Sequence, residues 1–310
     1  MSLFKIENKK LKSISEKDIK KEKDLQSLVE NNLDEVFSLQ FVKSEFAIQD
    51  LRIDTLAFDQ ESKAFVIVEY KRDKSFSVVD QGFAYLSLML NNKADFILEY
   101  NERLGATLRK ADVDWEQSRV LFVAQSFTSY QRRAIEFRDL PIELWEARLF
   151  ASQMISINQI KSSNTTASIK SISNKSPEIQ KISKEVRSYT VDDHFKDGWS
   201  QSRELFDAIS NRLLELDSRI EENAVKSYVG FRIGRKNFAS IHMYKSKIRL
   251  YFSRTELKDL KDPEGKLAYE KDCMKRFNQH LSYIDIHNDD DADYAYFLAK
   301  QAYKRFEKIV

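Results

Sequence analysis

The chain has 310 residues, 42% hydrophobic and 12% aromatic, enough for two domains with real cores and too much for disorder throughout. Its 51 basic and 49 acidic residues leave a net charge of +2, so the global balance announces no polyanionic partner and any electropositive surface must be local. The single cysteine, Cys273, excludes an intramolecular disulfide, argues against a cysteine-based zinc site and fits a reducing compartment, with the cytoplasm as the default. Residues 1–23 carry lysines every few positions and lack the apolar stretch of a secretion signal. The longest apolar runs fall far short of the roughly 20 residues that cross a bilayer, so no membrane partner is expected.

Ile19, Leu25, Leu28, Val29, Leu33, Val36 and Phe37 recur at spacings of three and four and predict one amphipathic helix over residues 15–37, with Glu30 inside it. Strand-like runs follow at 40–48, 52–58 and 64–71, with 59–62 as the turn between the last two. Ser77 is placed to cap a helix whose apolar stripe is Val78, Val79, Phe83, Leu86 and Leu90, and Gly105 suits a later helix stop. A strand at 119–124, a helix at 129–137 and a strand at 142–145 complete an α/β domain over residues 1–150.

Residues 151–188 change character: ten of these 38 positions are serine and no long apolar stripe is present, which predicts a linker with some helix near its end. Net charge by segment is −3 for residues 1–150, +4 for 151–188 and +1 for 189–310. The linker's Lys161, Lys170, Lys175, Lys181, Lys184 and Arg187 are therefore the expected phosphate contacts. Residues 189–310 read as a smaller α+β unit, with a helix at 200–216, strands near 225–233, 238–244 and 248–252, a short helix at 273–280 and a terminal helix at 293–309.

Asp54 stands near the start of one predicted strand, and Glu69 and Lys71 near the end of the next. Residues two apart project from one strand face, so Glu69 and Lys71 share a side. Two carboxylates and an ammonium are the minimum for holding a hard divalent cation, Mg²⁺ or Mn²⁺, and orienting water against a phosphodiester. An ordinary Glu–Lys pair on a solvated sheet accounts for the same residues. The buried character of residues 64–68 favours the site. Gln81 and Tyr85, four apart on one helix face, are placed to lean over the carboxylates.

Asp54, then Glu69-Tyr70-Lys71, then Gln81 with Tyr85 resemble the PD-(D/E)xK nuclease superfamily, particularly its RecB-like and NucS-like branches, over residues 15–150. The resemblance implies a restriction-endonuclease-like αβββαβ core. It implies metal ligation by Asp54, Glu69 and the Tyr70 carbonyl, with Glu30 matching a helix carboxylate of the metal shell. Catalysis would fall to Asp54, Glu69 and Lys71, with Gln81 supporting the site. Arg52 and Ile53 stand where many RecB-like members have a glycine, and iron–sulfur cysteines are missing from the sequence. The run Tyr189-Thr190-Val191-Asp192-Asp193-His194, with Ala302-Tyr303, resembles the DUF5655 domain.

Other motifs are weaker. Asp289, Asp291 and Asp293 suggest a calcium loop, but Tyr294 and Lys300 occupy its glycine and glutamate positions, so a helix cap is expected. The four histidines show no ligand spacing. Arg232, Arg235, Lys236, Lys245, Lys247 and Arg249, interleaved with aromatics, read equally as a nucleic-acid face or as solvated strand charges. The expectation is a metal-dependent DNA endonuclease. Its rivals are a catalytically weak binding module on the same fold and an RNA-cleaving enzyme; a homodimer is left open.

Overall fold

Seven consecutive residues, Ala64 to Tyr70, are buried, which a strand achieves only when both its faces are covered. The computed structural model describes residues 2–49, 51–72, 77–137, 140–161, 182, 185–186, 189–277 and 279–308. It divides into two compact units, Met1–Ser188 and Tyr189–Val310, and its overall class is mixed α/β.

In the first unit β1 (Leu3–Glu7) and β2 (Lys10–Ile14) form a two-stranded sheet of their own, followed by the short β3 (Glu16–Lys17), α1 (Glu22–Glu30) and α2 (Leu33–Phe37). An antiparallel meander follows: β4 (Gln40–Ile48), β5 (Leu51–Asp59) and β6 (Ala64–Lys71). Helices α3 (Val78–Asn91) and α4 (Lys93–Leu104) cross over to β7 (Arg119–Ala124), which lies parallel to β6. Through α5 (Ser129–Ala134) the chain reaches β8 (Ile142–Phe150), parallel to β7, and β9 (Met154–Ile160) returns antiparallel along β8. The seven-stranded sheet runs β3-β8-β7-β6-β5-β4, with β9 on β8.

Both faces of the central strands β6 and β7 are dry. Phe65, Ile67, Val120 and Phe122 pack with Leu86, Met89 and Phe96 from α3 and α4. On the other face Val66, Val68, Tyr70, Leu121 and Val123 pack with Leu25, Val29, Leu33 and Phe37 from α1 and α2. Each large side chain buried this way contributes about 1.5–3 kcal/mol. Ser77 caps α3 by accepting the Asp80 N–H at 3.3 Å, and Gly105 ends α4 at φ 61°. A Cβ on Gly82 would stand 2.4 Å from Ile142 Cδ1 and 2.8 Å from Cγ1. Glycine there lets α3 lie close on β8.

Two expectations need correction. The helix predicted over 15–37 is a strand, β3, and two helices, because Asn32 leaves helical geometry (φ −134°, ψ 24°). The bend lets Leu33 and Phe37 reach the core, where Phe37 meets Trp145 edge-on at 4.9 Å. Nor is 151–188 wholly a linker: β9 extends the sheet, and Ile182 and Val186 are buried in the α3–α4 core.

The second unit has α6 (Ser200–Leu214), then β10 (Glu221–Ala224), β11 (Val229–Ile233), β12 (Lys236–Met243), β13 (Ile248–Ser253), β14 (Ala268–Tyr269), α7 (Cys273–Phe277), β15 (Leu281–Ile286) and α8 (Asp289–Phe306). The strands form one antiparallel sheet in the order β10-β11-β12-β13-β15-β14. Leu205, Ile209 and Leu213 of α6 and Leu298, Ala299 and Ala302 of α8 pack with Val229, Ile241, Leu250 and Ile284. The acidic run caps α8: Asn288 accepts the Asp291 N–H at 2.9 Å, and Asp289, Asp290 and Asp291 fill the first turn, where the helix dipole favours them.

Candidate active site

β5 and β6 pair from Asp59–Ala64 to Thr55–Val68 and then part, while β6 continues beside β7 to Lys71 and β5 beside β4 to Leu51. The parting leaves the next β6 N–H without a strand acceptor. The Asp54 carboxylate supplies one, its Oδ2 accepting the Tyr70 N–H at 3.0 Å. The N–H and C=O of one strand residue share an edge, so the Tyr70 carbonyl faces the same opening.

Glu69 projects to the opposite side from the Tyr70 ring and is only 3% exposed. Its Oε1 accepts from Lys71 Nζ at 2.7 Å and Gln81 Nε2 at 3.0 Å. Gln81 Nε2 also lies 3.1 Å from the Tyr85 hydroxyl, and that hydroxyl donates to the Arg52 carbonyl at 3.4 Å. Among the described residues Glu69 Oε2 is buried with no hydrogen-bond partner. A carboxylate oxygen left in that condition is costly. Burial, reinforced by the Glu69 charge, pushes the Asp54 carboxyl up to about 7, while the Tyr70 N–H and Lys71 act against the rise. Burial also raises the Tyr70 and Tyr85 hydroxyls well above the ordinary phenol range. Both stay protonated at neutral pH.

This donor set fits a hard divalent cation. A cation would relieve the repulsion between Asp54 and Glu69 and supply the partner that Oε2 lacks, and hard oxygens are what Mg²⁺ and Mn²⁺ take. Among the described residues no three His, Cys, Asp or Glu side chains cluster as a metal-holding set. The fit therefore rests on two carboxylates and a main-chain carbonyl, a set small enough for Mg²⁺ to keep several waters.

The sequence expectation places Asp54, Glu69, Tyr70, Lys71 and Gln81 together, and the structure brings these five side by side. Glu30 is a different matter. Its Oε1 accepts the Thr55 hydroxyl at 2.6 Å and the Gln26 amide at 2.9 Å. Thr55 alternates with Asp54 along β5, so those contacts hold Glu30 on the other face of the sheet, away from Glu69. The α1 carboxylate that acts on Asp54 is Glu22, whose Oε2 accepts the Arg72 N–H at 2.8 Å just beyond β6 and whose charge also raises Asp54. Sequence reasoning missed Glu22. Its place in the first turn of α1, once the helix start is known, is the signal that finds it.

Gln26 is a second residue missed from sequence. It is 3% exposed, and its amide donates to the Asp54 carbonyl at 2.9 Å, to Glu30 and to Ser44 Oγ at 3.3 Å. One α1 side chain thereby fixes the main chain of the residue that caps Tyr70. Of the six basic residues assigned to the linker, Lys170, Lys175, Lys181, Lys184 and Arg187 lie outside the described residues. No helix among the described residues is long and apolar enough to cross a membrane.

Residues 191–304 match the family model described as a domain of unknown function, DUF5655. Over 304 residues the chain is 40% identical to a Haemophilus influenzae protein described as "Uncharacterized protein", a match spanning 98% of this chain and 100% of that one. The chain belongs to that protein's family. Among solved structures it is similar to a repair endonuclease from Pyrococcus abyssi, at 18% identity over 39% of this chain and 45% of that one, with a TM-score of 0.23. It is similar also to the protein in an EndoMS–dsDNA complex, at 19% identity over 41% and 47%, again with a TM-score of 0.23. The chain thus spans less than half the length of either structure, and such scores are too low to define a shared fold.

Proposed function

We propose that the first unit is a metal-dependent DNA endonuclease with a restriction-endonuclease-like core, and that Asp54, Glu69 and the Tyr70 carbonyl hold Mg²⁺ or Mn²⁺. One observation carries the reading: among the described residues Glu69 Oε2 is buried without a partner beside a second, raised carboxylate, while Oε1 is satisfied by Lys71 and Gln81. The large majority of buried polar side-chain atoms are paired, and an unpaired carboxylate oxygen beside a second carboxylate suits a cation. The order of the elements around β5 and β6 supports the same fold family.

When bound, the cation supplies Lewis-acid stabilisation of charge on the phosphoryl oxygens. The chain's own residues do the rest. Gln81 and Lys71 fix the Glu69 carboxylate in one orientation, and the Tyr70 N–H and the Gln26 amide fix Asp54. Lys71 carries the positive charge that faces the developing negative charge of the phosphoryl group, or orients the attacking water. Gln81 is a positioning residue through its contact with Glu69. Arg72, just beyond β6, supplies a basic group beside this opening for a phosphate backbone, whereas Lys23 and Arg52 are both paired with Glu45.

The test is cleavage by the full chain, with and without Mn²⁺, of single-stranded, duplex, branched and mismatched DNA and of matching RNA. Metal-dependent cutting of DNA that Lys71→Ala abolishes is the expected result. Cutting of RNA alone would move the assignment to a ribonuclease, and no cutting of any substrate would remove the enzyme reading.

A further inference from the structure

The β1–β2 hairpin has a form that the proposed catalytic site does not use. It is a two-stranded sheet that pairs with no third strand among the described residues, and such a ribbon is marginal in water on its own. Register gives its two faces different chemistry. Ile6 stands opposite Leu11 and Phe4 opposite Ser13, and Phe4, Ile6 and Leu11 are 46%, 75% and 68% exposed. The other face carries Lys5 opposite Lys12 and Glu7 opposite Lys10, with Leu3 opposite Ile14 at its base, both half-buried. Like charges placed directly opposite destabilise a ribbon, and here Glu7 alone stands between them, 2.8 Å from Lys5 Nζ and 3.9 Å from Lys12 Nζ. With Lys9 at the tip, four lysines against one glutamate leave residues 2–14 at +3. Asn8 and Lys9 both have positive φ, 49° and 64°, the tight turn that keeps such a ribbon narrow.

We infer that this ribbon is an arm that grips duplex nucleic acid, its lysines on the phosphates and Phe4, Ile6 and Leu11 laid as an apolar wedge into the groove. The inference rests on the nuclease reading of the same unit. Lysines that merely guard strand edges against aggregation would leave the apolar face unexplained. A second copy fits poorly, because it would set +3 against +3, and three side chains fall well short of the about 800 Å² per partner of a stable interface. A ribbon of this width enters a DNA groove, and apolar wedges beside cations are how groove-binding proteins spread a base step.

The test is binding of labelled duplex DNA to the full chain in chelator, so that no cutting intervenes, across a salt series. Two variants lie outside both cores: Phe4→Ser with Ile6→Ser and Leu11→Ser, and Lys5→Gln with Lys9→Gln, Lys10→Gln and Lys12→Gln. The lysine variant should flatten the slope of log affinity against log salt by about 0.9 for each phosphate it no longer neutralises. The apolar variant should bind about tenfold more weakly with the slope unchanged. If the native chain binds duplex and both variants match it, the arm is refuted and the nuclease reading stands; if the native chain binds no duplex, the arm is likewise refuted, and the nuclease reading is decided by the cleavage test alone. A change from dimer to monomer in the apolar variant, or loss of binding to anionic vesicles with DNA binding intact, would assign the ribbon to another partner and overturn the inference.

Discussion

Asp54 Oδ2 accepts the Tyr70 N–H at 3.0 Å, so a side chain completes the hydrogen bonding of a strand whose neighbour has turned away. That contact joins fold and site. The place where β5 and β6 stop pairing is the place where a carboxylate and a main-chain carbonyl are brought to one opening, with Glu69 one residue earlier on β6.

Gln26 secures the other side of Asp54. Gln26→Leu removes the side-chain donor to the Asp54 carbonyl and leaves Glu30 with the Thr55 hydroxyl in place of two donors, which should cost about 1–3 kcal/mol in urea unfolding. It should also lower the cleavage rate, because Asp54 is then free to drift. A variant as stable and as active as the native chain would show that α1 does not position the site.

Gly82 sets the depth of α3, and Gln81 is its neighbour. Gly82→Val forces a side chain into Ile142 and should cost about 1–3 kcal/mol from overpacking. The displaced helix should also lift Gln81 from Glu69, so activity should fall further than in Gln81→Ala. Equal activity in the two variants would separate helix depth from the site.

The second unit has its own pH signature. Burial, followed by the charges of Arg249 and His194, pulls His242 down from 6.5 to about 4. Above about 6.5 the ring is neutral in both states and the penalty is absent. As pH falls, the unfolded chain takes up a proton that the folded chain refuses until about 4, so stability is lost across that window, by about 3 kcal/mol at most. Urea unfolding of the native chain and His242→Gln at matched pH should show the difference growing from pH 6.5 to 4. A constant difference would contradict the burial account.

Much of the site was legible because its signals are local. The run from Ala64 to Tyr70 reads as a doubly covered strand from composition alone, Ser77 marks a helix start, and the spacing of Glu69, Lys71, Gln81 and Tyr85 survives folding unchanged. What sequence could not decide is which α1 carboxylate reaches the opening. Glu22 and Glu30 are eight residues apart, about 12 Å along a helix, and only the packing of α1 against β5 and β6 selects Glu22. The break at Asn32 was hidden because the apolar spacing runs through it. β9 was masked by its serine-rich surroundings, since it is held by pairing with β8 rather than by its own composition.

The central claim is that Asp54 and Glu69 together hold a divalent cation, and calorimetric titration of the full chain with Mn²⁺ tests it most directly. The native chain should bind, Asp54→Asn and Glu69→Gln should each weaken binding by more than about 100-fold, and Lys71→Ala, which removes only a partner of Glu69, should lose about 10- to 100-fold at most while failing to cleave DNA. Native-like Mn²⁺ affinity in Glu69→Gln would contradict the account, because the Glu69 Oε2 that lacks a partner among the described residues would then be holding no metal.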